Sequence, residues 1–169
     1  MPTIPLNRIN ATWIRFCQRK EDRQSLINEF CRQQPFIHEY VTQQDKEWFP
    51  DGGAQIRTLA LFVWLVFIAE HQGKVPIVTR EQMARLLSEG IAKMDLVDAE
   101  SEIRTSDIVR KDLRRPPQIE FSMFLMDCLT HKEDCFELIP KSTQATHSHL
   151  DIVIRALDAV TYPTRADAG

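Results

Sequence analysis

The sequence predicts an all-α protein, an irregular bundle of seven or eight helices packed around one central buried helix at about residues 55–72. The first observation behind this prediction is an uninterrupted apolar run over residues 59–69. The second is the helical spacing of apolar residues in most other segments, and the third is a low glycine count, five in 169 residues. A helix that is apolar on every side must be covered by several other elements.

The central run is too short to cross a membrane as a helix, because residues 59–69 would span only about 16 Å. A buried strand is the competing interpretation, since several of these residues are β-branched. The length of the run exceeds the usual five or six residues of a strand, which favours a helix. Gly73, followed by Pro76, is typical of a helix end with Gly73 at the C′ position.

The chain before the central helix carries further helical patterns. Residues 1–8 contain two prolines and predict an extended arm, and Asn10 is the expected N-cap of the first helix. The charged segment 20–23 is compatible with a joint between two helices or with the solvated middle of one helix over 10–34. Pro35 fits the first position of the next helix, in which residues 43–47 are expected to face water. The apolar stripes of these patterns are Trp13, Phe16 and Cys17, then Leu26, Ile27, Phe30 and Cys31, then Phe36, Ile37, Tyr40, Val41, Trp48 and Phe49.

The chain after the central helix opens with Thr79 and Gln82, which form a capping-box pattern at a helix start. Residues 95–102 are acidic and residues 104–115 basic, an order that the helix dipole favours, so one helix is expected to end at the prolines 116–117. A last helix is expected over about 146–160, followed by a frayed tail at 163–169. No repeat or linker divides the chain, so residues 1–169 are predicted to form a single domain. The stripes here are Met83, Leu86, Leu87 and Ile91, then Ile119, Phe121, Phe124, Leu125, Cys128 and Leu129, then Leu150, Ile154, Leu157 and Val160.

Composition and charge are those of an ordinary globular protein, with 43% hydrophobic and 27% charged residues. A formal net charge of −3 gives no general attraction to nucleic acid or to anionic membranes. The first residues lack the charged segment and apolar stretch of a signal peptide, so a cytoplasmic location is expected. In that compartment the four cysteines are expected to be thiols: Cys17, Cys31, Cys128 and Cys135.

Common catalytic and cofactor motifs are absent from the sequence. It contains no Gly-rich phosphate loop, no His-Glu-x-x-His and no Gly-x-Ser-x-Gly. These absences lower the expectation of enzymatic activity without excluding it, because many active sites are assembled from dispersed residues. No catalytic residue and no cofactor is predicted.

One group of residues has the chemistry of a metal site, since zinc favours thiolate and imidazole ligands. On one straight helix Cys135 would lie about 10 Å from Cys128, so the helix would have to break for both to reach one ion. His147 and His149 are two residues apart and point to nearly opposite sides of a helix. The competing interpretation is a half-buried cysteine and solvent-facing histidines. The candidates are Cys128, His131, Cys135, His147 and His149.

Residues 79–90 resemble the first helix and turn of a helix-turn-helix. The segment that follows, 91–98, is nearly bare of base-reading side chains and turns acidic, unlike a recognition helix. DNA binding through residues 79–115 is therefore an alternative function, and a metal-dependent helical enzyme using residues 128–149 is another.

The basic cluster downstream is the candidate binding site for an acidic partner or for RNA. A solvated helix C-terminus, favoured by the helix dipole, explains the same cluster without any partner. The residues are Arg110, Lys111, Arg114 and Arg115.

Two further groups have a functional and a structural interpretation. Glu70 and His71 form an ionisable pair beside deep apolar surface, where functional sites gather, although a helix end normally emerges into solvent. The aromatic residues Trp13, Trp48, Phe49 and Trp64 are typical of core packing more than of a ligand pocket.

The missing motifs and the segregated charges at 95–115 lead to the main prediction, a non-enzymatic protein–protein interaction or regulatory module whose partner is another protein. Its oligomeric state is left open.

Overall fold

Helix is the only regular structure in the described part of the chain, which a computed structural model gives as residues 3–99, 118–131 and 140–162. The all-α prediction is therefore confirmed, with seven helices packed together over these ranges. They are α1 (Leu6–Gln18), α2 (Arg23–Gln33), α3 (Pro35–Trp48), α4 (Gln55–Glu70), α5 (Arg80–Ala99), α6 (Ile119–His131) and α7 (Pro140–Thr161).

The predicted central helix is α4, and it lies at the middle of the hydrophobic core. Helices α1, α2, α3 and α7 pack against it. The rings of Phe121 and Phe124 on α6 also reach Phe62, at centroid distances of 5.8 and 6.0 Å. Burial is not uniform around α4, because Leu65 is partly exposed whereas its neighbour Trp64 is buried. The apolar run therefore has one side that approaches the surface.

The first turn of α4 is capped by a residue of α3. Asp45 is only 4% exposed, and its Oδ1 accepts the Ile56 N–H at 2.8 Å while its Oδ2 accepts the Arg57 N–H at 3.0 Å. The residue at the N-cap position, Ala54, has no side chain able to do this. The prediction that residues 43–47 all face water is thus wrong at Asp45, because the buried helix start needs an acceptor from elsewhere.

The end of α4 is a Schellman turn. The Gly73 N–H donates to the Ile68 carbonyl at 2.8 Å, and Gln72 and Gly73 both have positive φ, 53° and 84°. Gln72 therefore holds the left-handed C′ position that the sequence pattern assigned to Gly73. A side chain with a Cβ is strained in this conformation.

Gln72→Gly is expected to stabilise the protein by about 0.5–1 kcal/mol, because the relief of left-handed strain exceeds the entropy that glycine adds to the unfolded chain. Chemical denaturation measures the effect. Gly73→Ala is the matched opposite change, since its Cβ would meet open space but its φ of 84° would remain strained. A lower midpoint for Gln72→Gly than for the natural chain would contradict the argument.

The start of the chain also differs from its prediction. Helix α1 begins at Leu6 with Pro5 at its N-cap, so the extended arm predicted through residue 8 is too long and Asn10 is not the cap. Ile4 is buried, and its N–H donates to Gln118 Oε1 at 2.7 Å, which fixes the chain just before the helix. Residues 10–34 form two helices, because α1 ends at Gln18 and α2 starts at Arg23.

A buried glutamine holds the segment that links α4 to α5. Gln34 Nε2 donates to the Pro76 carbonyl at 2.8 Å, and Gln34 Oε1 accepts the Val78 N–H at 3.0 Å. The predicted capping box then opens α5 and is confirmed in both directions: the Thr79 N–H donates to Gln82 Oε1 at 2.8 Å, and the Gln82 N–H donates to Thr79 Oγ1 at 3.2 Å. At the other end of the chain, α7 begins at Pro140, earlier than the predicted start at about 146.

Candidate functional site

The two histidines proposed as metal ligands on α7 face different neighbours. His147 Nε2 lies 3.1 Å from the Ser122 hydroxyl on α6. His149 Nδ1 lies 2.6 Å from the Tyr40 hydroxyl on α3. Each imidazole thus contacts a different helix, as two residues of separation on a helix require.

Of the other three candidates, Cys128 is the one whose side chain the structure describes. Cys128 is buried in the core on α6. Cys135 and the side chain of His131 lie outside the described residues. Within the described ranges, no group of three or more His, Cys, Asp or Glu side chains is arranged to hold a metal ion.

The Tyr40–His149 pair is a neutral hydrogen bond between α3 and α7. Burial raises the pKa of Tyr40, and the negative charge of Glu47 raises it further. Burial also lowers the pKa of His149, against the opposing effect of Glu47. The phenol therefore donates to an unprotonated Nδ1, and the indole of Trp48 lies beside the imidazole at a centroid distance of 6.3 Å. The hydrogen bond joins α3 to α7, and both side chains are uncharged near neutral pH.

Helix α5 bears on the helix-turn-helix resemblance. It runs without a break from Arg80 to Ala99, through Gly90, so the structure has helix at the position where the resemblance would place a turn. The helix that begins at the capping box continues for further turns beyond residue 90. The basic candidates Arg110, Lys111, Arg114 and Arg115 lie outside the described residues, and DNA binding stays a prediction.

The Glu70–His71 pair lies at a junction of three helices. Glu70 Oε2 is 3.2 Å from Arg8 Nε on α1. The His71 ring stacks on Phe67 at 6.3 Å and meets Tyr162, just after α7, edge to face at 4.9 Å. His71 Nε2 is buried and has no hydrogen-bond partner among the described residues.

A buried carboxyl group continues this junction. Burial raises the pKa of Asp158, while the hydrogen bond from Gln118 and the charge of His71 act in the opposite direction. Gln118 Nε2 donates to Asp158 Oδ1 at 2.7 Å, and Gln118 itself has a positive φ of 64°. Gln118 Oε1 also accepts a hydrogen bond from the Ile4 N–H. The side-chain amide of Gln118 therefore connects the start of α6, α7 and the start of the chain. The junction is a network of polar side chains inside the protein. Its hydrogen bonds connect separate parts of the chain and so stabilise the fold.

Comparison with known proteins adds nothing to this geometry. The chain matches no protein-family model, no curated protein and no solved structure. No helix within the described ranges is long and apolar enough to cross a membrane.

The aromatic candidates divide between core and surface. Trp13 and Trp64 are buried in the core, as predicted. Phe49 is half-buried, and Trp48 is exposed, against the prediction that its side chain packs inside. Trp48, at the end of α3, lies beside His149 at a ring-centroid distance of 6.3 Å.

The strongest surface feature is a set of large apolar side chains on two neighbouring helices, which we call the α1–α6 face. The ring contact between Trp13 and Phe124, 5.9 Å between centroids, places α1 against α6. The large apolar side chains that are exposed on these two helices, and that define the face, are Leu6 (46%), Ile14 (56%), Ile119 (41%) and Met123 (66%).

The α1–α6 face was not predicted from the sequence pattern. Ile119 was assigned to the inward stripe of its helix, which is wrong, because it lies about 160° around the axis from the middle of the buried residues. Met123 shares its side of the helix, four residues on. Both fall off the stripe of Phe121, Phe124 and Leu125, which was the signal available in the sequence.

Proposed function

We propose that this protein is a non-enzymatic interaction or regulatory module, acting in the cytoplasm, that binds another protein through the α1–α6 face. The supporting observation is the exposure of Leu6, Ile14, Ile119 and Met123 on two helices in contact. Large exposed apolar patches mark interaction sites on soluble domains. Methionine is common on adaptable binding surfaces because its side chain is flexible and polarizable.

The outward side of α6 has no role in the core of the described structure. Phe121, Phe124 and Leu125 fill the inward side of the helix and pack beneath it. Ile119 and Met123 therefore keep 41% and 66% of their surface exposed to water, and a bound partner would cover that apolar surface. Cys31, an exposed free thiol on α2, is in keeping with a reducing compartment.

Met123→Lys is expected to abolish partner binding while leaving the melting temperature nearly unchanged, because it places a charge in a desolvated interface at a side chain that is 66% exposed in the free protein. Tagged natural and variant proteins are used as baits in native lysate, and the captured proteins are quantified by mass spectrometry. Ile77→Lys is the matched control, since Ile77 is also 56% exposed but lies in the segment between α4 and α5.

The proposal is supported when one protein is captured by the natural chain and by Ile77→Lys but is lost with Met123→Lys. It fails when all three baits capture the same proteins to the same extent. Turnover of a small metabolite by the purified protein would also argue against a non-enzymatic module.

A further inference from the structure

Three aromatic side chains meet where α3 packs against α7, and we call them the aromatic cluster. The imidazole of His149 joins the other two, with its ring centroid 5.8 Å from that of Tyr40 and 6.3 Å from that of Trp48. The phenol and indole planes are inclined to the imidazole by 62° and 58°. Of the three tryptophans in the chain, Trp48 alone is exposed, at 44%, so the cluster is open to solvent on the side of its indole.

A carboxylate without a counter-ion lies beside the aromatic cluster. Glu47 is seven residues after Tyr40, so both lie on the same side of α3, about two turns apart. Burial is the main cause of the pKa shifts of Tyr40 and His149, and the negative charge of Glu47 acts to raise both pKa values. The carboxylate is therefore within electrostatic reach of both rings. Glu47 is exposed and forms no ion pair with any residue that the structure describes.

We propose that the aromatic cluster binds a small molecule that carries a trimethylammonium group, with Glu47 as its counter-ion. A cation within about 6 Å of a ring centroid is attracted by the electrons of the ring face, most strongly by those of an indole. The spacing of the cluster lets a cation seated against the imidazole lie within that range of a second ring. The site uses no residue of the α1–α6 face, so it goes beyond the proposed function and is independent of it.

The hydrogen-bonding groups of the cluster favour a methylated ammonium over a primary one. The Tyr40 hydroxyl donates to His149 Nδ1 at 2.6 Å, so the neutral imidazole carries its own proton on Nε2. The indole nitrogen of Trp48 is also a donor only. A primary ammonium has three N–H donors and would meet few acceptors here, at a cost in lost hydrogen bonds to water. A trimethylammonium group has no N–H and loses none.

The test follows the indole N–H signals in proton–nitrogen NMR spectra of the natural chain during titration with choline chloride, against sodium chloride at the same ionic strength. Trp48→Phe identifies the Trp48 signal by its absence. We expect choline to shift this signal saturably and to leave those of Trp13 and Trp64 in place. The neutral carbon analogue of choline, in which a tert-butyl group replaces the trimethylammonium group, is expected to bind about tenfold more weakly.

Two variants test the roles of the ring and of the carboxylate. Trp48→Leu keeps an apolar side chain but removes the ring face, and it is expected to weaken binding by about tenfold, followed by the backbone amide signal of His149. Glu47→Gln is expected to weaken binding by about threefold, since an exposed carboxylate is partly screened by water and salt. Glu21→Gln, at an exposed position before α2, is the control and should bind as the natural chain does.

The inference is overturned when the Trp48 signal does not move up to about 10 mM choline, or when the neutral analogue binds as well as choline. Binding that survives both Trp48→Leu and Glu47→Gln also overturns it, because the ligand would then lie elsewhere. A signal that moves only with phosphatidylcholine vesicles, or only with a peptide containing trimethyllysine, overturns the small molecule as the ligand. Met123→Lys should bind choline normally, so failure of the proposed function is measured apart from failure of this site.

Discussion

Trp64→Asp is expected to leave the chain unfolded, whereas Leu65→Asp, one position further along the same helix, is expected to fold. Trp64 is 1% exposed and packs against Phe30 at a ring distance of 5.4 Å. Removing a buried tryptophan costs about 3–5 kcal/mol, and an unpaired buried carboxylate adds several more. Together these approach the whole stability of about 5–15 kcal/mol that a domain has. Leu65 is partly exposed, so a carboxylate there can reach water.

Circular dichroism and soluble yield of the two variants measure this difference, with Trp64→Phe as the conservative control. The indole Nε1 is buried without a hydrogen-bond partner among the described residues, so phenylalanine loses volume but no hydrogen bond. We expect Trp64→Phe to fold with a reduced melting temperature. Cooperative, wild-type-like melting of Trp64→Asp would show that this side of α4 is accessible to water, against its position in the core.

The parts of the fold that could be predicted from the sequence depend on neighbouring residues. The apolar run of α4, the proline that starts α3 and the Thr79–Gln82 capping box each lie within a few turns of one segment. Their spacing therefore determines the local structure whatever surrounds it. Residues 10–34 form two helices, and the short charged joint between them carries no such signal to decide between one helix and two.

The polar residues inside the fold could not be predicted in the same way. Asp45, Gln34 and Gln118 have hydrogen-bond partners 12, 44 and 114 positions away in the chain. A polar residue in a helical pattern is assigned to the solvent side when only its neighbours are known. Its burial depends on which remote backbone group lacks a partner, and that follows only from the packing of the helices.

The exposed residues of the α1–α6 face could not be predicted from neighbouring residues either. The spacing of residues on α6 distinguishes its inward and outward sides, yet it does not tell how wide the buried strip is. Ile119 lies at the first position of its helix, where no turn of α6 precedes it. Leu6 lies at the first position of α1 in the same manner. Leu6 and Ile119 therefore add apolar character to the sequence pattern of their helices, yet both are exposed in the fold.

Asp45→Ala is expected to destabilise the protein by about 2–4 kcal/mol, more than an ordinary surface helix cap is worth. The variant leaves the Ile56 and Arg57 N–H groups without their acceptors, and the first of these two bonds is buried. The affected turn begins the helix against which four others pack, so the loss extends to the whole core. Urea denaturation measures the change. Asp51→Ala, at an exposed position in the turn before α4, is the control and should cost little.

The pH dependence of the unfolding free energy lost in Asp45→Ala tests whether Asp45 stabilises the fold more in its protonated or in its ionised form. Burial raises the pKa of Asp45 above its ordinary value of 3.8, although the two backbone hydrogen bonds and the charge of Arg57 act against the shift. A raised pKa in the folded state means that the protonated form gives the larger stabilisation, fully present below pH 3.8 and lost as the pH rises through the folded pKa. The alanine variant lacks this dependence, so the difference in unfolding free energy between the two proteins should narrow as the pH increases from below 3.8 toward neutrality. A difference that instead widens with pH would mean that the helix start and Arg57 stabilise the carboxylate more than burial disfavours it.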